Sequence, residues 1–201
     1  LVENVLDLSK TESGKVELAQ DTYNTSELIS TLSLLGTVRC EKKHLAFHME
    51  VEEQLPTMLY GDLPHIKQIA TNLLSNAVKY TLKGSVALSI TQKEGRTPDE
   101  ILLCITVSDT GMGIKKEDIA TLFDAFIRAD EKAHNTIEGT GLGLAIVKNL
   151  TELMGGTIDV KSEYKIGSTF IVEIPQIIAM ESEIFIKKKS LHTFIAPEGK
   201  I

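Results

Sequence analysis

The sequence predicts an α/β fold, a two-layer sandwich in which a mixed sheet packs on helices. Apolar residues at helical spacing, such as Ile66, Ile69, Leu73 and Ala77, occur between short apolar runs such as Ile101-Leu102-Leu103-Cys104-Ile105. Helical and extended patterns are intermixed without a strict βαβα order, which disfavours a doubly wound sheet. The chain has 201 residues, 42% hydrophobic and 24% charged, which suits one domain with a soluble core plus appendages.

Taken in order, Leu1-Val2-Glu3-Asn4-Val5-Leu6-Asp7-Leu8 places apolar groups at helical spacing until Ser13-Gly14 breaks the pattern. Lys15-Val16-Glu17-Leu18-Ala19 alternates as a short strand. Thr25-Ser26-Glu27 opens a helix expected from Leu28 to about Lys43, and Leu45 to Val51 reads as a strand. Asp62 is a suitable N-cap for a second helix, which tolerates Pro64 in its first turn and reaches about Tyr80. Val86 to Gln92 and Ile101 to Ser108 read as strands. Lys115 to about Ile127 reads as a short helix, and the polar, aperiodic stretch Ala129 to Glu138 as a mobile loop. Leu142 to Met154 forms a helix ended by Gly155-Gly156. Thr157 to Lys161 and Ser168 to Ile174 make a final hairpin, with Pro175 expected to end the folded pattern. The expected division is therefore 1–14, 15–175 and a tail at 176–201 containing Lys187-Lys188-Lys189.

The net charge of −7 argues against a nucleic-acid surface, which needs a basic face to displace counterions. Cys40 and Cys104 form neither a zinc motif nor a disulfide scaffold, and a reducing cytoplasm fits them. No apolar run approaches the roughly 18 residues that cross a bilayer. The chain starts at Leu1 inside a helical pattern, so a piece of a longer parent is expected, with any membrane or sensor segment upstream.

Four clusters carry chemistry. Gln68, Asn72 and Asn76 recur at i, i+4 and i+8 on the second helix, with Lys79 and Tyr80 close to that stripe. Amide oxygens suit magnesium and an ammonium suits phosphate, although a solvated polar face is an equal reading of this helix alone. Asp109-Thr110-Gly111-Met112-Gly113-Ile114 follows an apolar strand: its carboxylate can accept from an exocyclic amine, or the run is a plain glycine turn. Gly139-Thr140-Gly141-Leu142-Gly143-Leu144 opens the last helix, where free N–H groups attract phosphate. Leu144 stands where a dinucleotide fingerprint needs its third glycine, and no Gly-Lys-Ser/Thr is present for a Walker-type loop. In Gly167-Ser168-Thr169-Phe170, Thr169 can bond to a base or to a water beside it.

In this order and spacing, with Phe123-x-x-Phe126 between the second and third clusters, the sequence resembles the catalytic ATP-binding domain of sensor histidine kinases, a Bergerat-type fold, over about residues 15 to 175. The resemblance implies an ATP- and magnesium-dependent protein-histidine kinase of a two-component system. It makes Asn76 the magnesium ligand, has Asn72 and Lys79 contact phosphates, and lays Tyr80 against adenine. Asp109 would receive the adenine amine in a pocket shaped by Gly111, Gly113 and Ile114, with Thr169 beside the base. Gly139, Thr140, Gly141, Leu142, Gly143 and Leu144 would hold the phosphates. Residues from about Lys115 to Glu138 would form a lid, in which Phe123 and Phe126 pack and Arg128 reaches the γ-phosphate.

Asp7-Leu8-Ser9-Lys10-Thr11-Glu12-Ser13-Gly14-Lys15 is similar to the end of the dimerisation helix in these kinases, and Ala196 to Ile201 to the start of a receiver domain. The resemblance implies a hybrid, homodimeric parent in the cytoplasm, with any membrane anchor in an upstream segment, whose partners are a phosphoacceptor/dimerisation domain and a receiver domain. The piece itself would be monomeric. His44, His48, His65, His134 and His192 all lack the His-acid-basic-Pro context of the acceptor, and His65 stands where the family often has Arg. Gln68 replaces the Glu with which ATP-hydrolysing relatives of the fold activate water, and an amide is no general base. The rival readings are a serine/threonine kinase of the same fold and a pseudo-kinase that holds ATP without transfer.

Overall fold

The computed structural model describes residues 17–125 and 141–179. The sequence readings for 1–14, for Phe126, Arg128, Gly139 and Thr140, for the loop 129–138 and for the tail beyond 179 lie outside these.

Seven strands form one sheet: β1 (Asp21–Asn24), β2 (Ala46–Val51), β3 (Met58–Gly61), β4 (Ser85–Glu94), β5 (Glu100–Asp109), β6 (Thr157–Glu163) and β7 (Gly167–Ile178). The order is β1-β3-β7-β5-β4-β2, with β6 also on β7. Only β2 and β4 run parallel. The described residues also hold four helices: α1 (Thr25–Glu41), α2 (Leu63–Tyr80), α3 (Lys116–Ile119) and α4 (Gly143–Leu153). Along the central strands the buried residues alternate (Val86, Leu88 and Ile90; Leu103, Ile105 and Val107; Phe170, Val172 and Ile174), so one sheet face meets α1, α2 and α4. This is the two-layer α/β sandwich the sequence predicts.

Local chemistry sets the helix ends. Asn24 caps α1 by accepting the Ser26 N–H at 2.8 Å. Asp62, 2% exposed, caps α2 by accepting the His65 N–H at 3.0 Å. Asp62 also accepts the Ala19 N–H and holds His65 Nδ1, each at 2.7 Å, so His65 is engaged at the start of α2.

Four expectations need correction. The helix expected from Lys115 to about Ile127 is only the four-residue α3, with turns and a bend over 120–125. Residues 17–19 of the expected first strand belong to no strand. The strand is Asp21–Asn24, and it pairs with β3, which the sequence reading missed. Each is a four-residue strand, too short for alternation to be visible. Pro175 does not end the fold, because β7 continues to Ile178. On that edge the pairing with β6 stops at Glu173 and the pairing with β3 begins at Ile177, so Pro175 sits in the gap, where a missing N–H costs no ladder bond.

The edge is anchored in the core by Tyr23, whose hydroxyl donates to Gln176 Oε1 at 2.9 Å. Burial raises the Tyr23 phenol well above its ordinary range, so it stays a donor. Tyr23→Phe strips Gln176 of this partner and should cost about 1–2 kcal/mol, the scale of a buried acceptor left unpaired. Urea unfolding checks this, and an unchanged midpoint contradicts the anchoring role.

Candidate functional site

Asp109 ends β5 on the helix side of the sheet, opposite Ser168 of β7. Its Oδ1 accepts the Gly111 N–H at 2.8 Å, and the Ser168 backbone N–H also bonds to the carboxylate. Burial raises the Asp109 carboxyl above its ordinary range, against the pull of these two bonds.

The loop after Asp109 is sewn to its surroundings. The Met112 N–H donates to Tyr80 O at 3.2 Å, tying the loop to the last turn of α2. The Lys165 N–H donates to Met112 O at 2.6 Å, and the Ile114 N–H to Ser162 Oγ at 2.8 Å, tying it to the β6–β7 hairpin. Gly113 has φ +63, and a Cβ there would lie 2.0 Å from Glu163 O, so both the backbone conformation and the close approach require glycine. Ile114 packs against the core.

Helix α2 buries Ile66, Ile69, Leu73, Leu74 and Ala77, and leaves Asn72, Asn76, Lys79 and Tyr80 half-buried. The Lys79 ammonium lies 4.8 Å from the Tyr80 ring centroid, a cation–π contact. Lys43, at the end of α1, donates through Nζ to Val78 O at 2.8 Å and to Lys79 O at 2.9 Å. Nothing in the sequence patterning pointed to this cap.

Helix α4 begins at Gly143 behind Leu142, whose side chain cannot accept from the first-turn N–H groups. Gly141, just before, has φ +71. A Cβ built on Gly143 would lie 3.9 Å from Asn76 Nδ2, so α2 and the opening of α4 meet there. Leu142 is buried, and Leu144 packs against the core. Phe123 also packs against the core, consistent with the packing role expected of it.

The structure therefore gathers Asn76 with Gly143, Tyr80 with the Gly111-Met112 loop, and Asp109 with Gly111. It separates Thr169 from them. Thr169 Oγ1 lies 2.9 Å from Ser108 Oγ, and the strand period puts both on the sheet face opposite to Asp109. Ser168, 7% exposed, is the residue beside Asp109. Alternation back from Phe170 and Val172 would have found it, whereas the likeness to a motif pointed one position too far.

Among the described residues no group of three or more His, Cys, Asp or Glu is placed to hold a metal. Cys40 and Cys104 are free and buried, and burial raises both thiols. No described helix is long and apolar enough to cross a membrane.

Residues 61–178 match the family model described as Histidine kinase-, DNA gyrase B-, and HSP90-like ATPase, and the chain belongs to that family. The sensory/regulatory protein RpfC of Xanthomonas campestris is 38% identical over 178 residues, covering 89% of this chain. The autoinducer 2 sensor kinase/phosphatase LuxQ of Vibrio vulnificus is 36% identical over 175 residues, covering 87% of this chain. The chain spans only 24% and 20% of these relatives' lengths. Among solved structures, full-length ShkA in complex with AMPPNP is 31% identical with a TM-score of 0.76, covering 89% of this chain and 35% of that one.

The raised Asp109 carboxyl makes a pH prediction. A folded-state pKa above the unfolded value means that the folded state binds the extra proton in that window, so stability is lost as pH rises through it. The stability of the wild type minus that of Asp109→Asn should therefore fall, without nucleotide, as pH rises above the ordinary aspartate range. Urea unfolding at a series of pH values checks this, and a difference that is flat or rises with pH contradicts it.

Proposed function

We propose that this chain is the ATP-binding catalytic domain of a sensor histidine kinase, which presents the γ-phosphoryl of ATP to a histidine on a phosphoacceptor/dimerisation domain. The observation that carries this reading is the placement of α2. Its polar stripe meets the opening of α4 at Asn76, and one turn further on Tyr80 is bonded to the loop after Asp109. A base end and a phosphate end are thus joined by one rigid helix. The relatives named as sensor kinases, and the AMPPNP bound to ShkA, support the same reading.

In this reading Asp109 accepts the adenine amine and Tyr80 lies against the ring. Asn72, Lys79 and the N–H groups opening α4 hold the phosphates. Asn76 offers magnesium a neutral, hard oxygen, which fits an ion that arrives with the nucleotide and is shared with its phosphates rather than caged by protein. Bound there, magnesium would neutralise charge on the phosphate oxygens. In the transfer, the bond from the γ-phosphorus to the β–γ bridging oxygen breaks, one to an imidazole nitrogen forms, and ADP leaves. What this chain contributes is positioning and charge stabilisation. We assign the parent to the cytoplasmic side, as a homodimer that passes the phosphoryl on to a receiver aspartate.

Two outcomes test the reading. The intact protein incubated with γ-labelled ATP should carry acid-labile label on a histidine outside this chain. Acid-stable label would favour a serine/threonine kinase, and no label a pseudo-kinase. Asn76→Ala should weaken ATP binding several-fold more with magnesium than without, by titration calorimetry. Equal losses in both would remove Asn76 as the metal ligand.

A further inference from the structure

Ser162 of β6 lies outside every motif that resembles the family, yet its hydroxyl is a junction. We propose that Ser162 is a positioning residue for base recognition, holding the 111–114 loop in place and fixing the direction of the Ser168 hydroxyl. The inference rests on the nucleotide reading above.

A serine hydroxyl has one proton and two lone pairs. Ser162 Oγ makes three contacts. It donates to Gly167 O at 3.0 Å, accepts the Ile114 N–H at 2.8 Å, and lies 3.0 Å from Ser168 Oγ. A carbonyl only accepts and a backbone N–H only donates, so chemistry fixes the first two. The lone pair that remains can be met only by the proton of Ser168. Ser162 is then saturated and has nothing left for a ligand.

The consequence falls on Ser168, which faces Asp109 across the β5–β7 pair. With its proton turned toward Ser162, its Oγ presents only lone pairs elsewhere. Asp109 beside it, when ionised, also only accepts. A ligand edge that meets these acceptors has to bring protons. The 6-amino group of adenine does so, and the 6-oxo group of hypoxanthine does not. Without the Ser162 hydroxyl, the Ser168 proton is free to turn toward an oxo group, and the Ile114 N–H loses its acceptor.

The test compares dissociation constants for ATP and ITP, each with magnesium, by titration calorimetry. The wild type should favour ATP. Ser162→Ala should reduce the ATP-over-ITP preference by roughly tenfold, the scale of one hydrogen bond gained or lost. Ser162→Thr, which keeps the hydroxyl, should restore it. If Ser162→Ala weakens both nucleotides equally and keeps the wild-type ratio, Ser162 is merely structural and the proposal fails. Should Ser162→Ala not fold, Ser168→Ala reads the same network, and an unchanged ratio there overturns the proposal as well. A wild type that binds neither nucleotide, or both alike, overturns the nucleotide reading itself.

Discussion

The site depends on how α2 disposes of its C-terminal carbonyls. A helix ends with four carbonyls that have no partner within it, and burial makes an unpaired one costly. Here all four are paired, three of them by parts of the chain outside the helix. Ala77 O accepts from Thr81, Val78 O and Lys79 O from the Lys43 ammonium, and Tyr80 O from Met112. The last of these bonds fixes the loop after Asp109 to the helix that carries Asn76. A backbone requirement of one helix thus becomes the rigid spacing between the two ends of the candidate site.

The same economy explains where the fold accepts an unfavourable group. Desolvation of Asp109 opposes its ionisation, and the two backbone N–H groups that bond to it only partly compensate. In the proposed reading a ligand amine supplies a further donor to this carboxylate. The opening of α4 carries no side-chain cap from Leu142, and in the proposed reading its N–H groups face the phosphates.

The elements that form the scaffold were legible in the sequence because each repeats a period over many residues. Asp62, Pro64 and the run from Ile66 to Ala77 announce α2, and the apolar alternation of β4 and β5 announces the centre of the sheet. The short edge was not legible. β1 has Tyr23 as its one buried residue, and its hold on Gln176 joins positions 153 residues apart, a tertiary fact without local signature. Pro175 misled for a related reason, since its tolerance depends on which strands lie alongside β7. In the site, the residue types at Asn76 and Asp109 suggested the roles that the proposed reading gives them. The serine that faces Asp109 had to be found by strand parity, because only burial distinguishes Ser168 from Thr169.

The central claim is that Asp109 reads an adenine amine within the site that α2 organises. Calorimetric titration of ATP with magnesium into the wild type and into Asp109→Asn tests it most directly. That substitution keeps the size and the strand position but turns one acceptor oxygen into a donor amide. The account predicts a loss of about 1–3 kcal/mol in binding, the scale of a mispaired buried polar group. Unchanged affinity in Asp109→Asn would contradict it.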